Sequence, residues 1–549
     1  MVVKKESSVV VNKSGVQYEN GIWKGVKIEI PKNNYKVNES LFKQMKHYSK
    51  NIAQIDGITG YEDSYANLTD RSIKCALWMR KQGVQPGDVI GICTHNQLDT
   101  AIPLIASLFI GAVSNPWWET CLDEDVIKYF IELTEPKLIF INEQSSSIVQ
   151  NVINKLNRNI KIIALGNVDG VESLTDILNT QNNNDEIDHF KCTSIDKSTH
   201  PALLIYTSGS TGRPKSVLLS CDTLDQNINK NDDQISDCST GIWFSSLCWV
   251  SAITCLLTSI SIGSKYVVYP NPSELTICQL IEKYQINWAM IGTGVANRLY
   301  KTKQVLDFDF SSIKRIYLAG AIAKREIEEF LVEICPNALV IHCYGCTEAG
   351  SMVTVTPVSS KPCSCGKVLP NIQMKVINPE NGDTLGINEE GEICIKTSKM
   401  MLGYYKNPKA TDEVIDADGW YHTDDLGYFD EDGDLFIIDR IKDLIKCRLD
   451  DIAPGPIEQC ILKHPNVAEV AVVSKPYGID REQPMAFITM LPGTKVTEAE
   501  IIKLVDDKLP LNMRLSGGVK ILDKMLYTPS GKIAKKNLRN LARVLAQEN

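Results

Sequence analysis

Residues 203–219 read Leu-Leu-Ile-Tyr-Thr-Ser-Gly-Ser-Thr-Gly-Arg-Pro-Lys-Ser-Val-Leu-Leu, a pattern that leaves a folding chain little choice. The apolar run from Leu203 to Tyr206 predicts a buried strand, and a second apolar run begins just after Lys215. Between them Thr207, Ser208, Gly209, Ser210, Thr211 and Gly212 form a loop of small hydroxyl residues and glycines. Glycine lets backbone amides approach an oxyanion closely, while hydroxyls and a lysine add donors and charge. This is chemistry for holding a polyphosphate. The spacing differs from a Walker A loop, which needs four residues between its first glycine and a Gly-Lys-Ser/Thr, so an ordinary P-loop NTPase is disfavoured. Seen alone, such a loop also reads as a plain Ser/Gly-rich surface turn.

The unbroken order Thr-Ser-Gly-Ser-Thr-Gly-x-Pro-Lys is more specific. It resembles the phosphate-binding signature of adenylate-forming enzymes: the acyl-CoA synthetases, 4-coumarate:CoA ligases and insect luciferases. Ser216 stands where that family usually has glycine.

Composition sets wide bounds. The chain has 549 residues, 43% hydrophobic and 23% charged, which suits a globular protein of three or four domain-sized units. Its 58 basic and 67 acidic residues give a net charge of −9, so no broad basic surface invites nucleic acid. Residues 101–113 and 247–263 are the most apolar stretches. Neither supplies the ~20 uninterrupted apolar residues of a membrane span, and both read as buried core helices. With no signal peptide and no C-terminal Ser-Lys-Leu, the expected location is the cytoplasm. The 17 cysteines are therefore expected to be reduced and mostly buried. Cys343, Cys346, Cys363 and Cys365 tempt a zinc-ribbon reading, but the second pair is separated by one residue, short of usual ligand spacing.

Helix-period segments (residues 42–48, 69–82, 100–112 and 274–284) alternate with short strands (89–93, 137–141, 288–291 and 315–319). That alternation predicts an α/β fold of parallel sheets covered by helices. Residues 179–185 read as a surface loop. From residue 371 short strands separated by Gly/Asp/Asn turns predict a small antiparallel, barrel-like part over 371–439. A polar junction, Asp439-Arg-Ile-Lys-Asp, then leads into about a hundred residues of mixed strand and helix, the size of one small domain. The division is placed at 1–439 and 440–549.

Four further motifs carry chemistry. Gly320 and Ala321 follow the 315–319 strand, where small residues let a flat ring approach the backbone. In His342-Cys-Tyr-Gly-Cys-Thr-Glu, Tyr344 can stack on a base, Thr347 can bond a phosphate and Glu348 can hold Mg²⁺. A capped turn opening a helix is the plainer alternative. Trp420-Tyr-His-Thr-Asp-Asp puts Asp425 in a strand-edge loop, able to take both ribose hydroxyls. Thr528-Pro-Ser-Gly-Lys-Ile presents Lys532 on a Pro/Gly loop.

Tyr-Gly-x-Thr-Glu, from Tyr344 and Gly345 to Glu348, resembles the family's adenine-and-magnesium motif. Thr423-Asp-Asp resembles its Thr-Gly-Asp motif, with Asp424 replacing glycine. Arg440 resembles the second ribose contact, Lys442 falls at the family's hinge, and Lys532 resembles its C-terminal catalytic lysine. These matches keep the family's order from about residue 45 to 540. The resemblance implies a large adenylation domain and a small swinging lid, with Thr347, Arg440 and Lys532 as catalytic residues. It places Trp249, Gly320 and Gly345 at the acyl pocket. It implies ATP and Mg²⁺ as cofactors, CoA as acyl acceptor and a small-molecule carboxylic acid, fatty or aromatic, as substrate.

Two departures bear on activity. Lys446-Cys-Arg-Leu-Asp-Asp stands where the family has a glycine-containing loop along the pantetheine tunnel. Leu449 adds a side chain there, and Asp450 and Asp451 add negative charge facing a polyanion. Ser245-Ser-Leu-Cys-Trp-Val-Ser replaces the Pro-Phe-His-His-Gly-Phe of beetle luciferases, nearer to insect fatty acyl-CoA synthetase-like proteins. The leading expectation is acyl-adenylate formation followed by transfer to CoA. The alternative is a luciferase that oxidises an adenylated luciferin with O₂, and the third is a nucleotide-binding member with impaired catalysis.

Overall fold

The computed structural model describes residues 10–11, 15–28, 37–118, 123–195, 200–207, 214–228, 240–321, 325–356, 361–447, 450–477, 482–527 and 533–547. Two large sheets have parallel centres; the first is antiparallel at one edge and the second at both. One has seven strands in the order Gly403–Tyr404, Lys215–Ser220, Pro201–Thr207, Val113–Pro116, Val89–Cys93, Leu138–Ile141, Lys161–Ala164. The other has nine, with Leu339–Cys346, Arg315–Ala319, Trp288–Gly292 and Thr240–Trp243 side by side and parallel at its centre.

Helices between the sheets make one core. Met45, Leu68, Phe109, Leu224 and Leu257 share an apolar cluster with Ile90 and Leu203 of the first sheet and Trp288 of the second. The expected core helices are present: Ala101–Ile110 is buried throughout, and Val250–Ile262 ends at Gly263, whose φ of +65° makes the left-handed cap. Ser273 begins the Glu274–Tyr284 helix by accepting from Thr276 N–H at 3.2 Å. No helix among the described residues is long and apolar enough to cross a membrane.

Residues 371–439 form the expected antiparallel part, and the N-terminus of the chain extends it. They contribute Ile372–Ile377, Gly391–Thr397, Tyr421–Phe429 and Leu435–Arg440 to a seven-stranded sheet whose other three strands are Val10–Val11, Gln17–Glu19 and Ile22–Lys24. Those N-terminal strands are too short to show a period, yet Val16 and Trp23 fill the core beneath the sheet. Gly403–Tyr404 leaves this part to edge the first sheet. Within 179–185 a further short helix, Asn184–Asp188, begins, with Asn183 capping it.

After Arg440 the connector Ile441–Asp443 leads to a hairpin, Ile445–Cys447 with Asp450–Ile452, and a sheet of Val467–Pro476, Glu482–Met490 and Gly518–Ile521. Ile445, Ile452, Val470 and Ile488 share a cluster that includes no residue before 445. Lys301 crosses from the larger body to this part, donating to the carbonyls of Val467 and, at 3.0 Å, Ala468.

Candidate active site

The site is assembled where parallel strands of the nine-stranded sheet end and the antiparallel sheet begins. Thr207 and Lys215, on either side of the predicted phosphate loop, are paired across antiparallel strands. Ser208, Gly209, Ser210, Thr211 and Gly212 lie outside the described residues. Lys215 Nζ sits 4.7 Å from the Tyr404 ring centre. The Tyr404 hydroxyl donates to Glu348 Oε1 at 2.9 Å and shares a hydrogen bond with Tyr421.

Thr347 and Glu348 are buried in the turn between Leu339–Cys346 and Ser351–Val355; no helix starts there. Gly345 falls at an irregularity of that hairpin, and a Cβ on it would lie 2.3 Å from the Ser351 carbonyl oxygen. The adjoining backbone itself therefore requires glycine. Gly320, at φ +96°, and Ala321 are exposed at the carboxyl end of Arg315–Ala319. Thr293 ties this turn down by donating to the Ala321 carbonyl at 2.8 Å. Trp249 precedes the Val250–Ile262 helix and packs, half-buried, against a cluster that contains Tyr206, Trp118 and Cys248.

Asp425 is not in a loop as expected. It lies within the Tyr421–Phe429 strand, whose residues alternate between buried and half-buried, and it pairs in register with Arg440. Its carboxylate is met from two sides: the Tyr344 hydroxyl donates to Oδ2 at 2.6 Å, and Arg440 Nε approaches Oδ1 at 3.2 Å. Burial, reinforced by the Asp425 charge, holds the Tyr344 phenol well above its ordinary range, so it remains a donor. Tyr344, Asp425 and Arg440 thus form one bonded group. Lys532 lies outside the described residues, though its flanks, Tyr527 and Ile533, pair as an antiparallel bridge.

Several participants carried no signal of their own in the sequence. Glu392 supports the Thr423-Asp-Asp segment from the neighbouring strand. Its Oε1 accepts from Asp424 N–H at 3.0 Å, and its Oε2 accepts from His422 Nδ1 at 2.9 Å. Cys394 Sγ lies 3.8 Å from the same nitrogen, and burial pushes this thiol up to about 12. Asp424 keeps a left-handed backbone, φ +63°, and its carboxylate is ion-paired with Lys442. That conformation costs a non-glycine residue about 1 kcal/mol. A pair whose side chains are each 33% exposed returns no more than about 0.2–1 kcal/mol. Asp424 thus gains nothing in stability over the usual glycine.

A parallel-stranded body, an antiparallel sheet bearing a tyrosine–aspartate–arginine group, and a small α+β part after it define a nucleotide-handling ligase architecture. Comparison with known proteins gives the family. The model for the AMP-binding enzyme matches residues 41–405, and that for the AMP-binding enzyme C-terminal domain matches 456–532. The chain belongs to the AMP-binding enzyme family and is an adenylate-forming ligase. It is 28% identical to 4-coumarate-CoA ligase 1 of Narcissus pseudonarcissus, over 92% of this chain and 93% of that one. It is 30% identical to luciferin 4-monooxygenase of Luciola mingrelica, over 91% and 94%. Among solved structures it resembles the luciferase-like enzyme of the nonluminescent mealworm Zophobas morio, with TM-score 0.71, 28% identity and coverage of 76% and 99%. An anthranilate CoA ligase in complex with anthranoyl-AMP shares the fold at TM-score 0.84, with 18% identity and coverage of 93% and 98%.

Proposed function

We propose that this enzyme activates an apolar carboxylic acid, fatty or aromatic, with ATP and passes the acyl group to CoA. A carboxylate oxygen attacks the α-phosphorus, the bond to the β-phosphate breaks, and pyrophosphate leaves. The CoA thiol then attacks the acyl carbon, AMP leaves with its bridging oxygen, and the thiol proton goes to solvent. The observation that carries this reading is the Tyr344–Asp425–Arg440 group, fixed on two hairpins beside the Glu348–Tyr404–Lys215 seam.

In this reading Asp425 receives both ribose hydroxyls, and Tyr344 and Arg440 hold its carboxylate in place. Gly320, Ala321, Tyr344 and Gly345 border the base, while Trp249, Gly320 and Gly345 border the acyl group. Thr207, Ser208, Gly209, Ser210, Thr211, Gly212, Lys215 and Thr347 hold phosphate oxygens. Lys532 offsets the charge that builds on the α-phosphate as pyrophosphate departs, an effect largest in the transition state. Glu348, a buried carboxylate with one oxygen on Tyr404, offers the hard oxygen donor that Mg²⁺ shares with substrate phosphates and water. When bound, that ion neutralises polyphosphate charge. Residues 440–549 are proposed as a mobile lid. A cytoplasmic location is proposed, where cysteines that are mostly buried stay reduced.

The test is ATP–pyrophosphate exchange over a panel of carboxylic acids, with acyl-AMP and acyl-CoA followed by mass spectrometry with and without CoA. Exchange and acyl-AMP with at least one acid support the reading; background exchange with every acid overturns it. ATP binding without exchange would point instead to a catalytically impaired nucleotide binder. The likeness to the Luciola monooxygenase favours one second reading, oxidation of an adenylated luciferin by O₂ with light. Darkness with ATP, O₂ and insect luciferin extracts counts against it.

A further inference from the structure

The connector Ile441–Asp443 is gripped from both sides. On the side of the antiparallel sheet, Lys442 is ion-paired with Asp424. On the other, Arg539 of the Lys535–Gln547 helix donates to Asp443 Oδ1 at 2.8 Å. The Arg440–Asp425 pair immediately precedes the connector, so two cation–carboxylate pairs stand side by side: Asp425 with Arg440, Asp424 with Lys442. The positive φ at Asp424 turns its carboxylate toward the connector while Asp425 keeps its own bonds to Tyr344 and Arg440. Glycine, the residue that this backbone favours, would provide no such tether.

We propose that Asp424 is a positioning residue: by holding Lys442 it restrains the connector and keeps Arg440 seated on Asp425, the ribose side of the proposed nucleotide site. The inference rests on that reading of the site only for its effect on ATP, whereas the restraint on the connector is independent of it. The pair is partly exposed, so the restraint weakens as salt screens it.

The test compares the full-length protein with Asp424→Asn, Asp424→Gly, Lys442→Gln and the charge-swapped double variant Asp424→Lys/Lys442→Asp. Amide hydrogen exchange over residues 440–447 is measured without ligand, at low and at high salt. Expected are exchange up to about 5-fold faster in the single variants, the loss a partly exposed pair allows, wild-type exchange that rises toward theirs with salt, and partial recovery of protection in the double variant. Asp424→Gly suits the backbone by itself, so its fold, checked by circular dichroism and melting temperature, isolates loss of the tether. ATP binding by calorimetry is expected to weaken several-fold in Asp424→Asn. Wild-type exchange in Asp424→Asn and Asp424→Gly overturns the proposal. Faster exchange in a protein that binds no ATP even as wild type upholds the tether and overturns the nucleotide reading.

Discussion

Removing the Tyr344 hydroxyl leaves Asp425, 9% exposed, with Arg440 as its remaining charge-assisted partner. Tyr344→Phe is therefore expected to lower stability by about 1–2 kcal/mol, read as a shift in the denaturant midpoint. The same variant should weaken ATP binding, and an unchanged midpoint would show that water replaces the phenol without loss. Lys532→Ala should reduce acyl-adenylate formation by about 10²–10³-fold, as loss of a transition-state charge partner does, with the melting temperature unchanged. Undiminished turnover would remove Lys532 from the proposed mechanism. The motif residues were legible because glycines, hydroxyls, a tyrosine and acids stand there in an unusual fixed order. Glu392, Tyr404 and Tyr421 were not. Each looks like an ordinary strand or turn residue, and only the pairing of distant strands brings it to Asp424, Glu348 or Tyr344.

At the scale of elements, the turn after Leu339–Cys346 shows how much of the site depends on backbone packing. Gly345→Ala would put a methyl 2.7 Å from Met352 Cα as well as against the Ser351 carbonyl, and neither is a side chain that can swing away. A loss of about 1–3 kcal/mol is expected, together with displacement of Tyr344. Thermal melts and the near-ultraviolet circular dichroism of the aromatic residues would register both. The Glu274–Tyr284 helix was readable from its period, since Ile277, Cys278, Leu280 and Ile281 share its buried face, whereas Ala101–Ile110 and Arg315–Ala319 were readable as continuous apolar runs. Asp425 was misread as a loop residue because two adjacent aspartates resemble a turn. In the folded chain the left-handed step at Asp424 lets the strand continue through them.

Across the whole molecule, buried phenols set an alkaline limit. Burial raises Tyr65, Tyr206, Tyr344 and Tyr421 well above their ordinary value. In the unfolded chain the same groups release protons near pH 10, so stability is fully present below that pH and is lost as pH rises beyond it. Exposed tyrosines should titrate first. The remaining tyrosinate absorbance should appear only as the protein unfolds, and its appearance in a still-folded protein would contradict the burial. Removing residues 1–28 takes away Trp23, 3% exposed, and uncovers the edge of Ile372–Ile377, so loss of stability and aggregation are expected on melting and light scattering. That sheet also imposes a schedule on synthesis. Lys24 pairs with Gln373, 373 − 24 = 349 residues later. At about 5–20 residues per second the ribosome takes roughly 17–70 s to supply the partner. Ile22–Lys24 can pair at once with Gln17–Glu19, but its other edge must stay open outside the ribosome for that interval, the period in which a chaperone would find it.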